Sequence, residues 1–199
     1  MNGAAQVHVL DGGLATELES RGFDLRDALW SARVLLEQPA AIQAVHGAYF
    51  ASGATVATTA SYQATIPGFV AAGLDEAAAR AAISRSVALA IAARAAHLDA
   101  TPPAHGAPAL LVAGSVGPYG AMLADGSEYR GDYDPGYATL REVHAPRMDA
   151  LLEAGADLLA LETIPTVREA DQDLRLAHGT RGHGLAQLPV SGRCLDRRR

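Results

Sequence analysis

Four polar groups in this chain each close an apolar run. Asp11 with Gly12 and Gly13 follows Val7–Leu10, and Thr58-Thr59 follows Ala54–Ala57. Gly114-Ser115 follows Ala109–Ala113, and Glu162-Thr163 follows Leu158–Leu161. A carboxylate at the end of a buried run is costly unless something compensates its charge. Asp11 and Glu162 hold equivalent places, beside turns rich in glycine. Carboxylates of that kind can hold an ammonium group, and the N–H groups of such turns can hold a carboxylate. The chemistry fits a zwitterion, and the ligand class it points to is an amino acid. Taken singly, each group has a plainer reading. Asp before Gly-Gly is a turn signal. A strand-terminal Glu favours the N-terminus of the next helix. Gly114-Ser115 with Gly117-Pro118 can be an ordinary turn. The coincidence of four polar strand ends is what favours a site. His46 and His144 fall within helical stretches and read as packing or surface residues. The glycine spacing matches neither a dinucleotide fingerprint nor a P-loop.

The elements that must position these groups follow from the punctuation. Pro39 suits a first helical turn and Gly53 a helix stop, so the intervening stretch reads as a helix. Asp75 can cap a long Ala-rich helix running to about Leu98. A Pro-rich loop, Thr101 to Pro108, follows it. Asp134-Pro135 signals another start, with a helix running to Gly155 that Pro146 should kink or split. A further helix starts near Val167. Strands beginning near residues 7, 54, 109 and 157 alternate with these helices, which predicts an α/β fold with a parallel sheet. In such a fold the C-terminal strand ends share one rim, where ligands bind. Two connections, Ala60 to Leu74 and Ser115 to Asp134, are too long to be simple linkers.

Composition narrows the partners. At 199 residues the chain has room for one sizeable core. A formal net charge of −6 argues against nucleic acid or an anionic membrane. There is no apolar run of membrane-spanning length and no signal-peptide pattern at the start. The single cysteine, Cys194, leaves no internal disulfide, and the expected compartment is the cytoplasm. Every basic residue apart from histidine is arginine, which reads as codon bias.

The stretches "LDGGLATELESRG", "LWSA", "TTASYQAT", "VAGSVGPYGAMLADGSEYRGDY" and "AGADLLALETIP" resemble the homocysteine S-methyltransferase family. The nearest branch is the bacterial type that uses S-methylmethionine or S-adenosylmethionine. The resemblance runs almost continuously from Val9 to Ala170. It implies a (β/α)8 TIM-type barrel of which this chain holds the N-terminal half, so that the barrel is incomplete. It further implies that homocysteine and a sulfonium methyl donor are the partners. Carried over, Asp11 and Glu162 match the acids that hold the homocysteine amino group. Thr59 lines the same pocket, and Gly12, Gly13 and the Ser115 to Tyr119 turn shape it. Tyr62 and the loop from Asp125 to Asp132 lie where the donor approaches. The family also implies a zinc ion held by three cysteine thiolates, which deprotonates the homocysteine thiol and fixes it in place.

The chain departs from that pattern in its cysteines. Cys194 alone cannot supply three thiolates, and His178 and His183 form no replacement cluster, so no residue here is expected to ligate a metal. Through Ala170 the chain has ten arginines against nineteen acids, and from Asp171 onward six against three. The stretch from His178 shows neither a helical nor a strand period. It reads like out-of-frame translation or a premature end. Residues 1–170 are therefore expected to form the family domain, and 171–199 a poorly ordered, non-family tail. Two functions follow: a homocysteine S-methyltransferase by descent, or a catalytically silent half-barrel that lacks the zinc cysteines.

Overall fold

A computed structural model describes residues 7–25, 30–179 and 184–188. Extended Val7–Leu10 enters alongside the first strand. Leu10 bridges in parallel to Val56, and the Val9 carbonyl accepts from the N–H groups of Thr55 and Val56. Helices α1 (Leu14–Ser20), α2 (Trp30–Glu37) and α3 (Pro39–Ala51) come next. They are followed by β1 (Val56–Thr58), α4 (Ile66–Ala71), α5 (Glu76–Ala100) and β2 (Leu111–Val116). Then come α6 (Tyr119–Leu123), α7 (Ser127–Arg130), α8 (Tyr137–Glu153), β3 (Leu158–Glu162), α9 (Val167–Gly179) and β4 (Gly184–Leu188).

The four strands are parallel and lie in chain order, β1-β2-β3-β4. Helices connect successive strands, with α3 against α5, α5 against α8 and α8 against α9. This is the open N-terminal half of a TIM-type barrel. Strand alternation sorts the side chains. Val112, Val116, Leu159 and Leu161 belong to the large core shared with the helices. Val56, Ala113 and Ala160 pack together on the opposite face. Ser115 and Glu162 continue that second row to the C-terminal strand ends. The row that makes an apolar inner layer thus ends in polar groups on one rim.

Local signals explain most starts and stops. The Asp75 carboxylate accepts from the Ala78 N–H at 2.7 Å and caps α5. Pro39 begins α3, and Gly53, at φ +99°, ends the turn after it. Three expectations need correction. β2 does not break at Gly114-Ser115 but runs through to Val116. Glycine lets the Leu151 side chain pack closely there, since a Cβ at 114 would sit 3.1 Å from it. α8 is one continuous helix through Pro146, not two segments, and it starts at Tyr137 behind Gly136. Asp134 does not cap it but pairs with Arg168. The two long connections also hold short helices, α4 in the first and α6 and α7 in the second. The expected boundary after residue 170 falls inside α9, whose Gln172, Asp173 and Ala177 are buried. Beyond it, β4 pairs with β3 from Gly184 to Leu188. Residues 180–183 and 189–199, with His183 and Cys194, lie outside the described residues.

Candidate active site at the strand ends

Asp11, Gly12, Gly13, Thr59, Tyr62, Ser115 and Glu162 line one cavity of about 370 Å³. Thr58, Ala60 and the first residues of α1 complete the wall. No residue of the Asp125–Asp132 loop lines it.

Each carboxylate is held by the neighbouring strand. Asp11 Oδ2 accepts from the Thr58 N–H at 2.7 Å, and Oδ1 from the Thr58 hydroxyl at 2.7 Å. Thr58 is therefore the residue that orients Asp11. Its position beside Thr59 at the strand end is the only signal that marked it. Glu162 Oε1 accepts from the Ser115 hydroxyl. Thr59 is buried and acts as a bridge between strands. Its Oγ1 accepts from the Ser115 N–H at 2.9 Å and bonds the Ser61 hydroxyl at 2.7 Å. Ser61 in turn donates to the Ser115 carbonyl at 2.8 Å. Gly12 must be glycine for a spatial reason: a Cβ there would lie 2.7 Å from the Tyr49 hydroxyl. That hydroxyl donates to the Gly13 carbonyl at 3.1 Å.

At the far wall, Tyr62 shares a hydrogen bond with Thr163. Thr163 sits at φ +58°, a left-handed conformation that a β-branched residue rarely adopts. Such strain costs on the order of 1–3 kcal/mol and is found at sites that must aim a group. Here the turn brings the chain out of β3 directly after Glu162.

The electrostatics are one-sided. Burial pushes the Asp11 carboxyl above its ordinary value, against the opposing bonds from Thr58. Burial also raises Glu162, the charge of Asp11 raises it further, and Ser115 and Arg147 oppose. No lysine, arginine or histidine lines the cavity among the described residues. Two acids face it without a cation.

A second group of ionisable residues lies behind the cavity. His144, Glu169 and Asp173 bring their ligand-type atoms within 4.8 Å of one another, all buried. Arg147, fully buried, joins them. Its Nη2 donates to His144 Nδ1 at 2.5 Å, so His144 Nε2 carries the proton and donates to Glu169 Oε1 at 2.7 Å. Burial and the Arg147 charge push His144 down to about 4, which keeps it neutral. Burial would raise Glu169, but bonds from His144, Tyr133 and the Tyr119 N–H outweigh it and hold the carboxyl below its usual range. Burial pushes Asp173 up to about 8, with Arg147 opposing and Glu169 adding to the rise. At neutral pH the charges of Arg147 and Glu169 cancel. A divalent cation would therefore add uncompensated charge, although the network is not closed: among the described residues Arg147 Nε and Nη1 and both Asp173 carboxyl oxygens are buried without a hydrogen-bond partner. Apart from His144 lying in a helical stretch, no sequence signal marks this group. His46, expected to be a packing residue, is buried in α3 and pushed down to about 4.

The open parallel sheet with acids on its C-terminal rim defines a (β/α)-barrel type of protein, with its candidate site where such folds bind ligands. The family described as homocysteine S-methyltransferase matches residues 8–196, and the chain belongs to it. Homocysteine S-methyltransferase of Escherichia coli is 58% identical over 165 residues, which is 83% of this chain and 52% of that protein. YbgG of Bacillus subtilis, also named a homocysteine S-methyltransferase, is 54% identical over 168 residues, 84% of this chain and 53% of that protein. The solved structure of the E. coli homocysteine methyltransferase MmuM in its oxidized form superposes with a TM-score of 0.84 at 53% identity. It covers 90% of this chain and 60% of that one. A metallated form of the same enzyme gives the same TM-score. The chain spans about half the length of the curated relatives it matches.

The three-thiolate zinc site that the resemblance implies does not fit this chain. Its one cysteine is Cys194, and the buried His144–Glu169–Asp173 group is already neutralised by Arg147. No described helix is long and apolar enough to cross a membrane.

Proposed function

We propose that this chain forms the acceptor-binding part of a homocysteine S-methyltransferase acting in the cytoplasm. One observation carries the reading: Asp11 and Glu162 converge on a cavity with no cationic side chain among its described lining residues. The ammonium group of homocysteine supplies the missing charge. Asp11 is held from behind by Thr58 and Glu162 by Ser115, so each carboxylate keeps lone pairs free to accept from the ammonium. Gly12 and Gly13, which line the cavity, offer backbone N–H groups to the substrate carboxylate.

The reaction moves a methyl group from a sulfonium donor, S-methylmethionine or S-adenosylmethionine, to the homocysteine sulfur. The thiol loses its proton to solvent water, and the thiolate attacks the methyl carbon in line. The bond from that carbon to the donor sulfur breaks, and its electron pair stays on the donor sulfur. Methionine is formed. Asp11 and Glu162 orient the nucleophile and transfer no proton. An alkyl thiol has a pKa near 8.5, so only a few per cent is ionised at neutral pH. Zinc would supply that ionisation, and this chain does not carry the thiolates to hold it.

The test is calorimetric titration of homocysteine into the purified chain. Saturable binding is expected, with Asp11→Asn and Glu162→Gln each weakening it about tenfold or more. Unchanged affinity in both variants would overturn the reading.

A further inference from the structure

Glu169 is fully buried at the start of α9 and does not reach the cavity. Its oxygens are nevertheless tied to the segment between β2 and α8. Oε1 accepts from the Tyr119 N–H at 2.5 Å, and Oε2 accepts from the Tyr133 hydroxyl at 2.6 Å. Tyr119 and Tyr133 bracket α6 and α7, and their rings lie 5.6 Å apart. Gly120 makes room for this: a Cβ there would sit 2.6 Å from the Tyr133 ring. A second tie runs through His144 to Arg147, which donates to the Gly117 carbonyl. Gly117 lies directly against Tyr62. A Cβ at 117 would come within 2.5 Å of the Tyr62 carbonyl oxygen and 2.6 Å of its ring. Tyr62 is a wall of the cavity.

We propose that Glu169 is a positioning residue for the cavity: it anchors the 117–133 segment at Tyr119, Tyr133 and, through His144 and Arg147, at Gly117, and so fixes Tyr62 against the bound substrate. The proposal rests on the cavity being the homocysteine site. Its logic is geometric. A negative acceptor with both oxygens used by donors at the two ends of one segment fixes the span between them. Glutamine keeps the shape but removes the charge that strengthens all three bonds, with the Tyr133 hydroxyl accepting instead of donating, and a shorter acid cannot reach both ends. His144 is fully buried, so its freed N–H has no water to turn to, which makes the loss costly.

Two measurements separate this role from a general effect on packing. The first is hydrogen exchange of the ligand-free chain. Glu169→Gln is expected to speed exchange across 117–133 by about tenfold while the amides of β1 stay unchanged. Tyr133→Phe removes a single bond to Oε2 and leaves α9 packing alone, so it gives the same pattern and decides the matter if Glu169→Gln does not fold. The second is a binding cycle with homocysteine. Glu169→Gln is expected to weaken binding about tenfold in the otherwise unaltered chain and less than about twofold when Tyr62 is already alanine. Unchanged exchange in 117–133, or equal loss of affinity in both backgrounds, overturns the proposal. An unaltered chain that binds no homocysteine sinks the site reading instead. The exchange arm needs no ligand and still upholds or overturns the hold of Glu169 on the segment.

Discussion

Asp11 and Glu162 on the rim, and Glu169 and Asp173 behind it, are carboxyl groups drawn out of water in two different ways. In the rear pair, Glu169 is satisfied within the protein and Asp173 is held uncharged. Arg147 balances Glu169, three donors fill the Glu169 oxygens, and Asp173 is pushed up to about 8, so that it is protonated at neutral pH. The rim pair is left open. Thr58 and Ser115 orient the two acids with neutral hydroxyl and amide groups, and no cation stands in the cavity. A carboxylate neutralised from inside is scaffolding. A pair oriented but not neutralised is waiting for a positive ligand, and the strain at Thr163 beside Glu162 fits that division of labour.

The sharpest way to break this contrast is to remove the rear cation. Arg147→Met leaves Glu169 buried without its counter-charge, and is expected to destabilise the chain by about 3–5 kcal/mol. Urea unfolding reads this as a lower midpoint at an unchanged slope. A loss no larger than that of a surface substitution would mean the rear acids do not depend on Arg147. Next in size is Gly117→Ala, which forces a methyl into Tyr62. Overpacking of this kind costs about 1–3 kcal/mol, and here it should also weaken ligand binding, because the displaced ring is a cavity wall.

Asp173 sharpens the comparison through pH. Its folded pKa of about 8 lies above its ordinary 3.8, so the folded chain keeps a proton that the unfolded chain gives up. That stabilisation is full below about pH 4 and is lost as pH rises toward 8. Asp173→Asn keeps a neutral group there and removes the dependence. The stability of the unaltered chain minus that of the variant should therefore fall from pH 5 to pH 8, by up to about 1.4 kcal/mol per pH unit. His46 and His144, both pushed down to about 4, pull the other way between pH 4 and 6.5, but they act in both proteins and cancel in the difference. A flat difference would show that Asp173 is ionised in the fold. The smallest effect is a control away from both regions. Asp75→Ala removes the cap of α5 and should cost about 1 kcal/mol with no change in ligand affinity.

Legibility followed the same division. The rim groups stood out because each interrupts an apolar run at a strand end, so the continuous runs both located the strands and exposed the exceptions. β2 was misjudged at Gly114-Ser115 because glycine and serine resemble a turn when their partners are unknown. The Leu151 side chain over Gly114 and the Thr59 bond to the Ser115 N–H explain why the strand continues. The rear network was not legible. The buried side of α9 carries Glu169, Gln172 and Asp173, spaced three and four apart. A polar stripe at helical spacing reads as a solvent face, and only the fold shows that it meets Arg147 and His144 from α8. The helix expected near Val167 is α9, which runs to Gly179 and so past the expected boundary at residue 170.

The direct measurement of the central claim is a comparison of ligands. Homocysteine and 4-mercaptobutanoate, which keeps the thiol and carboxylate but lacks the amine, are titrated into the same chain at neutral pH. If Asp11 and Glu162 form an ammonium site, homocysteine binds about a hundredfold more tightly, and Asp11→Asn with Glu162→Gln together erase the preference. Equal affinity for the two ligands would contradict it.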